Sequence, residues 1–560
     1  MRHPILVLFL LALFTALSGC LSPDEYEAEA DRVAYGVVDL ARLAADQDED
    51  LEFSINKPEN RLRDTLIVAR SLDDDPGPRE RLALEGAEVV VDLASALEIA
   101  ARNSREYQTE KERLFASALS FSDASRNFES RWFGLQSFDG NARGDNDDGT
   151  DFSVAENGSV GFTRLLEAGG ALSLSIGDNI TRFLSNPAST VATTFATLSL
   201  SIPFLRGAGR EIAYNNVTQA ERNVVYAVRN FERFKRTFGV NIISQYMRLL
   251  RNYQTAQNEK ENYKRRQVTA LENRARGEAG RLSRTDVERA NNAELDAENR
   301  AIIATQNFQN SLDNFKLTLG LPTDVKLTID TKDLVTLREE GADPAFIPEN
   351  DAMVLAITNR LDLAVTHGRA IDSRRLIGVA RNALLAGVDL NVSADFNSND
   401  FGETSFRLDP VGNADYNLGL DIDLPFDRVN ERNAYRQSLI NYQASLRNYE
   451  AQEDGVKLDI RAGLRSLQQA AETYRIQILS LGVSETNVDA TNLLKDAGQG
   501  TTLDLLLAQN DLILAENAVL SSLINFKIAK LELLRDMGIL VVTSSGIDEE
   551  LTNLQLKKEG

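Results

Sequence analysis

The side chains that most often carry catalysis or bind metals are scarce in this sequence. Two histidines, His3 and His367, and one cysteine, Cys20, occur among 560 residues. A zinc site, a Ser-His-Asp triad or a Cys-His pair needs more of these side chains than the chain holds. Asp421 and Asp423 are paired carboxylates, but they flank a single isoleucine within a repeated row of polar residues. The sequence therefore predicts a protein that is not an enzyme and has no cofactor or metal ligands.

The N-terminus has the features of a secretion signal. The stretch MRHPILVLFLLALFTALSGC has a basic residue at Arg2, an apolar run over 5–14 and small residues before Cys20. The apolar run is short for a membrane span. Residues 17–20, Leu-Ser-Gly-Cys, resemble the bacterial lipobox, in which cleavage leaves a lipid-modified cysteine. We expect residues 1–19 to be a signal peptide and Cys20 to carry lipid, including palmitate; an ordinary signal peptide with a chance cysteine is the alternative.

The composition limits the possible partners. The formal net charge of −23 and the pI near 4.7 argue against a nucleic-acid-binding protein, which needs a basic surface. Residues 20–90 form an acidic N-terminal segment that includes DQDED and DDDPGP. Leu21 follows the cysteine where an aspartate would suggest retention in the inner membrane. By resemblance to bacterial lipoproteins, the anchor is then expected in the outer membrane.

The chain contains an internal duplication. Residues 285–309 (TDVERANNAELDAENRAIIATQNFQ) align with 503–527 (LDLLLAQNDLILAENAVLSSLINFK). Other matched residues keep the same order along the chain: Asn103 with Asn359, Phe204 with Phe426, Gly280 with Gly498, and Gly320 with Gly538. We therefore expect two repeats, 91–320 and 351–540, joined by a linker at 321–350 and followed by a tail at 541–560.

Each repeat combines strands with very long helices. Residues 415–426 (DYNLGLDIDLPF) alternate apolar and polar side chains, and so do 386–397 and 193–204. Residues 131–140 form a fourth, less regular strand, and 156–179 contain an added hairpin around Gly169-Gly170 that either enlarges the sheet or folds outside it. From 217 to 253 the apolar residues keep a helical period over about ten turns. No proline occurs between Pro203 and Pro322 or after Pro425.

Two glycine breaks interrupt the long helices at matching positions. In each, five residues separate a glycine from an aspartate, and a hydroxyl residue precedes the next helix as a candidate cap. The two turns comprise Gly280, Arg281, Leu282 and Ser283 in the first repeat, and Gly498, Gln499, Gly500 and Thr501 in the second. As capping chemistry alone, these turns need no further function.

The strands require a closed sheet if they cross a membrane. Each is long enough to span a bilayer as a tilted barrel strand, but an open edge in lipid leaves backbone groups without hydrogen bonds. So few strands must close with further copies of the chain. Leu418, Leu420, Ile422 and Leu424 are then expected to face lipid. The predicted lumen residues are Asp389, Asn391, Asp395, Asn417, Asp421 and Asp423. The alternative is a small soluble sandwich that caps a coiled coil.

The duplicated order of elements, the strand that ends in Pro-Phe, and the starts Thr285-Asp286-Val287 and Leu503-Asp504-Leu505 of the last helices resemble TolC-family outer-membrane factors. The resemblance spans residues 90–540. It implies a mainly α-helical fold with a β-barrel part, in which three chains contribute four strands each to a twelve-stranded barrel and their helices to a periplasmic α-barrel. It also implies that the tip docks on a periplasmic adaptor (membrane fusion protein) linked to an inner-membrane pump, and that substrates pass through passively.

The resemblance also assigns roles at the tip. The aperture is expected at Asp504, Leu507 and Asp286, and a ring of three Asp504 carboxylates would attract cations and raise the pKa of each carboxylate. Leu507 stands where better-known members carry a second aspartate, and Gly500 where they carry an arginine that latches the closed tip. We therefore expect a hydrophobic constriction at Leu507, or a weaker latch that uses Arg281 or Arg284.

The expected function is that of a trimeric outer-membrane exit duct for efflux or type I secretion. The alternative is a structural lipoprotein that conducts nothing and acts as a coiled-coil spacer of the cell envelope.

Overall fold

The computed structural model describes residues 22–44, 53–55, 62, 66, 88–145, 149–184, 190–342, 347–398, 414–543 and 546–547. The signal peptide, Cys20 and much of the acidic segment lie outside these residues. The chain divides into two compact units. Unit 1 comprises residues 1–53, 113–228 and 365–449, and unit 2 comprises 54–112, 229–364 and 450–560.

Helices make up most of the described chain. Their bounds are α1 Pro23–Ala44, α2 Leu93–Asn103, α3 Arg105–Arg126, α4 Arg210–Ala213, α5 Asn215–Glu278, α6 Arg284–Thr318, α7 Lys332–Glu340, α8 Glu349–Asn359, α9 Leu361–Asn382, α10 Val429–Asp496 and α11 Thr502–Asp536. The strands are β1 Glu88–Val91, β2 Arg131–Asp145, β3 Gly149–Leu165, β4 Ala171–Phe183, β5 Thr190–Pro203, β6 Lys326–Ile329, β7 Gly387–Asn397, β8 Ala414–Asp423, β9 Val542–Thr543 and β10 Gly546–Ile547.

The long helices follow the apolar periodicity of the sequence. Helix α5 has 64 residues and α10 has 68, and neither contains a proline. Along α5 the buried apolar side chains recur every three, four or seven residues, at Val224, Val228, Phe231, Phe238, Ile242 and Leu249. This spacing keeps one apolar stripe on the same side of the helix, as side-by-side helix packing requires.

Equivalent positions of the two repeats pack in the same way, which supports the duplication. Both Gly320 and Gly538 follow a long helix with positive φ, 76° and 75°. A side chain at Gly320 would collide with the carbonyl oxygen of Asn103, and a Cβ at Gly538 would lie 2.7 Å from the carbonyl oxygen of Asn359. The residues that the sequence alignment paired therefore meet in equivalent backbone contacts within unit 2.

The linker between the repeats contributes one strand to a two-stranded parallel sheet in unit 2. Strand β6 pairs with β1, which precedes the first repeat. The hydroxyl of Tyr246 donates a 2.6 Å hydrogen bond to Asp333 on α7. Helix α7 is thereby fixed against α5.

Unit 1 contains a sheet of six antiparallel strands in the order β2-β3-β4-β5-β7-β8. The resemblance implied four strands for each chain. The difference arises because the added hairpin of the first repeat, β3 and β4, enters the sheet between β2 and β5. The strand predicted at 415–426 is observed as Ala414–Asp423, and Pro425-Phe426 follows its end.

One face of this sheet is mainly apolar and the other mainly polar. Side chains of directly paired residues share a face, and faces alternate along each strand. The apolar face includes Trp132, Phe162, Leu174, Leu198, Leu390, Leu418, Leu420 and Ile422. The opposite face includes Asn157, Ser159, Ser173, Ser175, Thr197 and Ser199, together with all six predicted lumen residues.

Each face has exceptions, and all of them lie in the first repeat. Arg164 and Arg182 interrupt the apolar face, and so do Gln136, Glu156 and Asp178, where Gln136 donates a 3.1 Å hydrogen bond to Glu156. Gly158 leaves room for them, since a Cβ there would lie 2.8 Å from the Oε1 atom of Gln136. The large apolar side chains on the polar face are Phe133, Leu135, Leu165, Phe183 and Phe195.

Among the described helices, only α11 is long and apolar enough by composition to cross a membrane. Half of its most apolar window is buried inside the protein. Its buried side chains include Leu505, Leu506, Ile513, Leu523 and Phe526. Helix α11 is therefore a packed helix of unit 2 in this structure.

Candidate functional site

Strands β7 and β8 bring the predicted lumen carboxylates together on one face. Asp389 lies directly opposite Asp421, and Asp395 lies opposite Asp415. Asn391 donates a 2.5 Å hydrogen bond to Asp421, and Asp423 forms a 2.6 Å salt bridge with Arg206. Four of the five carboxylates therefore have no cation among the ion pairs described for this sheet, so the β7–β8 surface is strongly acidic. Asp415 belongs to this surface although the sequence analysis did not select it.

The polar face of β3, β4 and β5 has a different chemistry. It carries mostly hydroxyl and amide side chains, and the hydroxyls of Ser173 and Ser199 are 2.6 Å apart. Asn157 donates hydrogen bonds of 3.3 Å to Ser137 and to Asp139. The hairpin thus contributes a nearly neutral, hydrogen-bonding surface beside the acidic one.

The second helix break has the turn and cap that the sequence predicted. Gly498 has φ 75°, and the N–H groups of Gln499 and Gly500 both donate to the carbonyl of Leu494, at 2.9 and 3.0 Å. A Cβ at Gly500 would lie 2.9 Å from the backbone nitrogen of Lys495. The tight backbone explains why position 500 holds glycine rather than a long side chain.

Asp504 is held by the cap of α11. The Thr501 hydroxyl accepts from the N–H of Asp504 at 3.2 Å, and the Asp504 carboxylate accepts from the Thr501 N–H at 3.1 Å and its hydroxyl at 2.6 Å. This reciprocal arrangement is a capping box. Both hydrogen bonds stabilise the ionised form, so they lower the pKa of Asp504.

The first helix break is built in the same way. Gly280 has φ 71°, and the N–H of Arg281 donates to the carbonyl of Arg276 at 2.8 Å. The hydroxyl of Ser283 accepts from the N–H of Asp286 at 3.2 Å and donates to its carboxylate at 2.6 Å. Asp286 also forms a 3.2 Å salt bridge with Arg289, so its charge is partly neutralised, unlike that of Asp504.

Helix α11 presents one exposed face after its cap. The exposed side chains are Leu503, Asp504, Leu507, Asp511 and Leu514, which lie within about 100° of one another around the helix. Leu507 is 55% exposed despite being apolar. The predicted pair Asp504 and Leu507 therefore lies on one surface. Asp511 was missed, although its spacing of seven residues from Asp504 was the available signal.

The contacts that join the two repeats near these turns differ from the expected latch. In the described part of the chain, neither Arg281 nor Arg284 forms an ion pair; both are exposed. Instead Arg266 of α5, only 3% exposed, donates a 2.8 Å hydrogen bond to the carbonyl of Leu506 on α11. Lys495 and Glu272 form a second inter-repeat contact, a 3.7 Å salt bridge.

The environment of the Arg266 guanidinium disfavours its charged form. Burial lowers its pKa to about 10, and the nearby cations Arg300 and Arg265 act in the same direction. Its Nε and Nη1 atoms are buried without a hydrogen-bond partner. Unpaired buried donors are costly, so this contact holds α11 to α5 with little net stabilisation.

Within the described residues, no group of three His, Cys, Asp or Glu side chains is arranged to hold a metal ion.

Comparison with known proteins places this geometry in context. The family model described as outer membrane efflux protein matches residues 352–538. A search of curated proteins by sequence finds no match.

Several solved structures share the fold. The Campylobacter jejuni CmeC outer membrane channel is 15% identical with a TM-score of 0.58, over 83% of this chain and 89% of that chain. VceC from Vibrio cholerae is 14% identical with a TM-score of 0.58, over 80% and 96% of the two chains. The open state of the Neisseria gonorrhoeae MtrE outer membrane channel is 16% identical with a TM-score of 0.53, over 80% and 88%.

These matches confirm the resemblance and the mainly α-helical fold with a β part. They support an outer-membrane efflux channel rather than an enzyme. The chain has the fold of TolC-like outer-membrane channels, and over residues 352–538 it matches the outer membrane efflux protein family.

Proposed function

We propose that three copies of this chain form an exit duct in the bacterial outer membrane. The observation that carries the proposal is the exposed apolar face of the six-stranded sheet. Trp132 is 73% exposed, and Leu418, on the same face, is 77% exposed. A continuous row of apolar residues crosses all six strands of this face: Trp132, Phe162, Leu174, Leu198, Ala394 and Tyr416. An apolar surface of this extent is a membrane or protein contact. Lipid around a closed barrel accounts for it, because the opposite face is polar.

Closure of the sheet requires other copies. Strands β2 and β8 are the two edges, and each has one side of its backbone unpaired within the sheet. Such edges are not tolerated in the hydrocarbon layer. Pairing of β8 with β2 of the next copy satisfies both edges and keeps the apolar side chains outside.

The helices have exposed apolar surfaces that suit the same arrangement. In unit 2, α6 exposes Leu295, Ile302 and Ile303, and α10 exposes Ile476, Leu479 and Val483. These residues recur at helical spacing, so each helix presents an apolar stripe. Packing of α6 and α10 stripes from neighbouring copies forms the periplasmic helical tube.

The duct works passively in this proposal. The acidic β7–β8 surface lines the barrel and the exposed face of α11 lines the periplasmic aperture, with Asp504, Leu507 and Asp286 near its narrowest part. The turns at 280–283 and 498–501 dock on a periplasmic adaptor, and an inner-membrane pump supplies the energy for efflux or type I secretion. Lipid on Cys20 fixes the N-terminus to the outer membrane.

Removal of the lipid anchor separates this function from that of a spacer. For this experiment the lipoprotein signal is replaced by an ordinary secretion signal, so that the Cys20→Ser variant is still exported. We expect it to remain in the outer membrane fraction, to need detergent for extraction, and to run as a trimer resistant to mild heating. A soluble monomer would contradict the duct and support a coiled-coil spacer held only by its lipid.

A further inference from the structure

We propose that the assembled barrel has eighteen strands rather than twelve, because the hairpin β3–β4 is a part of its wall. This inference rests on the proposed trimeric duct. Three copies of six strands make eighteen. The diameter of a barrel grows roughly in proportion to its strand number, so the bore is about one and a half times that of a twelve-stranded barrel.

The hairpin is joined to both neighbours along its length. Paired residues run from Arg131–Thr163 to Asp145–Gly149 between β2 and β3, and from Ala171–Ser201 to Arg182–Thr190 between β4 and β5. A hairpin folded outside the barrel would leave β2 next to β5. In this structure two complete strands separate them.

Side-chain packing on the polar face fixes both seams. The Cζ atom of Phe133 lies 2.8 Å from the position of a Cβ at Gly161, and the Cζ atom of Phe195 lies 2.7 Å from one at Gly177. Each phenyl ring from an outer strand thus covers a glycine of the hairpin. Phenyl rings over cross-strand glycines stabilise the pairing and set its register.

The turn between β3 and β4 contacts the segment between β5 and α4. The N–H of Gly209 donates a 2.8 Å hydrogen bond to Ala168, and Arg210 forms a 3.2 Å salt bridge with Glu167. A Cβ at Gly169 would lie 2.6 Å from the carbonyl oxygen of Gly207. The hairpin therefore ends at the same level as β5, as a wall strand must.

The enlarged wall changes where cargo is selected. A barrel of this size leaves an aqueous channel as wide as those of porins. The hairpin adds hydroxyl and amide groups to the lining rather than charge, so the acidic β7–β8 surfaces become three separate stripes. The aperture lined by α11 then becomes the part of the duct that selects solutes by size. The barrel itself admits bulky hydrated solutes that a twelve-stranded barrel excludes.

The decisive experiment is a cryo-EM map of the full-length protein in detergent, in which the strands of the barrel are counted. Eighteen strands with β8 beside β2 of the next chain support the inference. A closed twelve-stranded barrel with β3–β4 outside it overturns the inference and leaves the proposed duct intact. Particles without a closed barrel overturn both.

A cross-linking experiment tests the hairpin in the membrane. In the Cys20→Ser background, the pair Ser173→Cys and Ser199→Cys is expected to form a disulfide on mild oxidation. The matched control pair, Ser137→Cys and Thr193→Cys, lies in one row of the same face with β3 and β4 between the two sites, and is expected not to react. Cross-linking of the control pair alone would contradict a wall position for the hairpin.

Discussion

The phenyl ring of Phe195 covers Gly177 across the β4–β5 seam, and a methyl group at Gly177 would lie 2.7 Å from its Cζ atom. This contact sits where the added hairpin meets a strand that both repeats possess. The ring therefore joins the added hairpin to the shared part of the sheet.

Gly177→Ala is expected to weaken the packing of β4 in the sheet, because its Cβ would collide with the carbonyl oxygen of Gly158 on β3 and would also lie 2.7 Å from the Phe195 ring. Overpacking typically costs about 1–3 kcal/mol, so the temperature at which the oligomer dissociates on a detergent gel should fall. Gly419→Ala is the matched control, since a Cβ on this glycine of β8 would have only the Asn391 carbonyl oxygen within 4 Å, at 4.0 Å. Equal dissociation temperatures for the two variants would show that the close packing around Gly177 does not support the sheet.

Asp504→Asn is expected to reduce the preference of the channel for cations. The variant removes three carboxylates from one level of the trimer while leaving an isosteric side chain in the cap. The measurement is the reversal potential in a salt gradient across a planar bilayer. Asp286→Asn should change it less, because Arg289 already offsets that carboxylate at 3.2 Å.

Asp511→Asn should act in the same direction as Asp504→Asn. The two residues lie seven positions apart on one exposed face, or about 10 Å along the helix. They form two acidic rings separated by Leu507. If a double variant prefers cations as strongly as the unmodified channel, neither aspartate ring determines the cation preference.

Thr501→Val is expected to change the pH dependence of that preference. The Thr501 hydroxyl and N–H lower the pKa of Asp504, which keeps the carboxylate charged until the pH falls below its ordinary range. Loss of the hydroxyl raises the pKa, so the cation preference should disappear at a higher pH than in the unmodified protein. Thr501→Ser retains the hydroxyl and should keep the original pH profile. Identical profiles for valine and serine would contradict the role of the cap.

Leu507→Ser is expected to increase the single-channel current. A ring of leucines at the aperture disfavours water, and hydroxyl groups at the same position favour it. Leu493→Ser is a suitable control, because Leu493 is an exposed leucine of unit 2 on α10, 72% exposed against 55% for Leu507. If both variants carry the same current as the unmodified protein, the constriction lies elsewhere.

Arg266→Met is expected to leave the contact between α5 and α11 about as stable as in the unmodified protein, because the arginine contributes little net stabilisation. The variant removes the hydrogen bond to the carbonyl of Leu506 but fills the buried site with an apolar side chain of similar length. The trimer should remain stable, and the fraction of time spent in the conducting state should stay close to that of the unmodified protein. A several-fold rise would show that the hydrogen bond to Leu506 acts as a latch. Arg265→Met changes an exposed neighbour and should leave gating unchanged.

Much of the fold follows from local patterns in the sequence. The alternation at 415–426 predicted β8, and the matched pairs Gly320–Gly538 and Asn103–Asn359 predicted equivalent packing in both repeats. The two helix caps followed from a glycine, a hydroxyl residue and an aspartate at fixed spacing. Each of these signals is either contained within a few residues or visible as one duplication along the chain. Each can therefore be recognised without knowledge of the tertiary structure.

The remaining features depend on distant contacts. Gly158, Gly161 and Glu156 break the alternation of β3, so the sequence could not decide whether the hairpin joins the sheet. Its place is set by Phe133 and by Phe195, which lie in other strands. The contact between Arg266 and Leu506 joins residues 240 positions apart. No periodicity within α5 distinguishes this arginine from its exposed neighbours.

The current through the purified full-length protein in a planar lipid bilayer tests the central claim most directly. The account predicts discrete conductance steps from trimers, a preference for cations, and a smaller preference after Asp504→Asn at unchanged trimer stability. A stable, correctly folded trimer that inserts in the bilayer and carries no current under any voltage would contradict the claim that this protein is a channel.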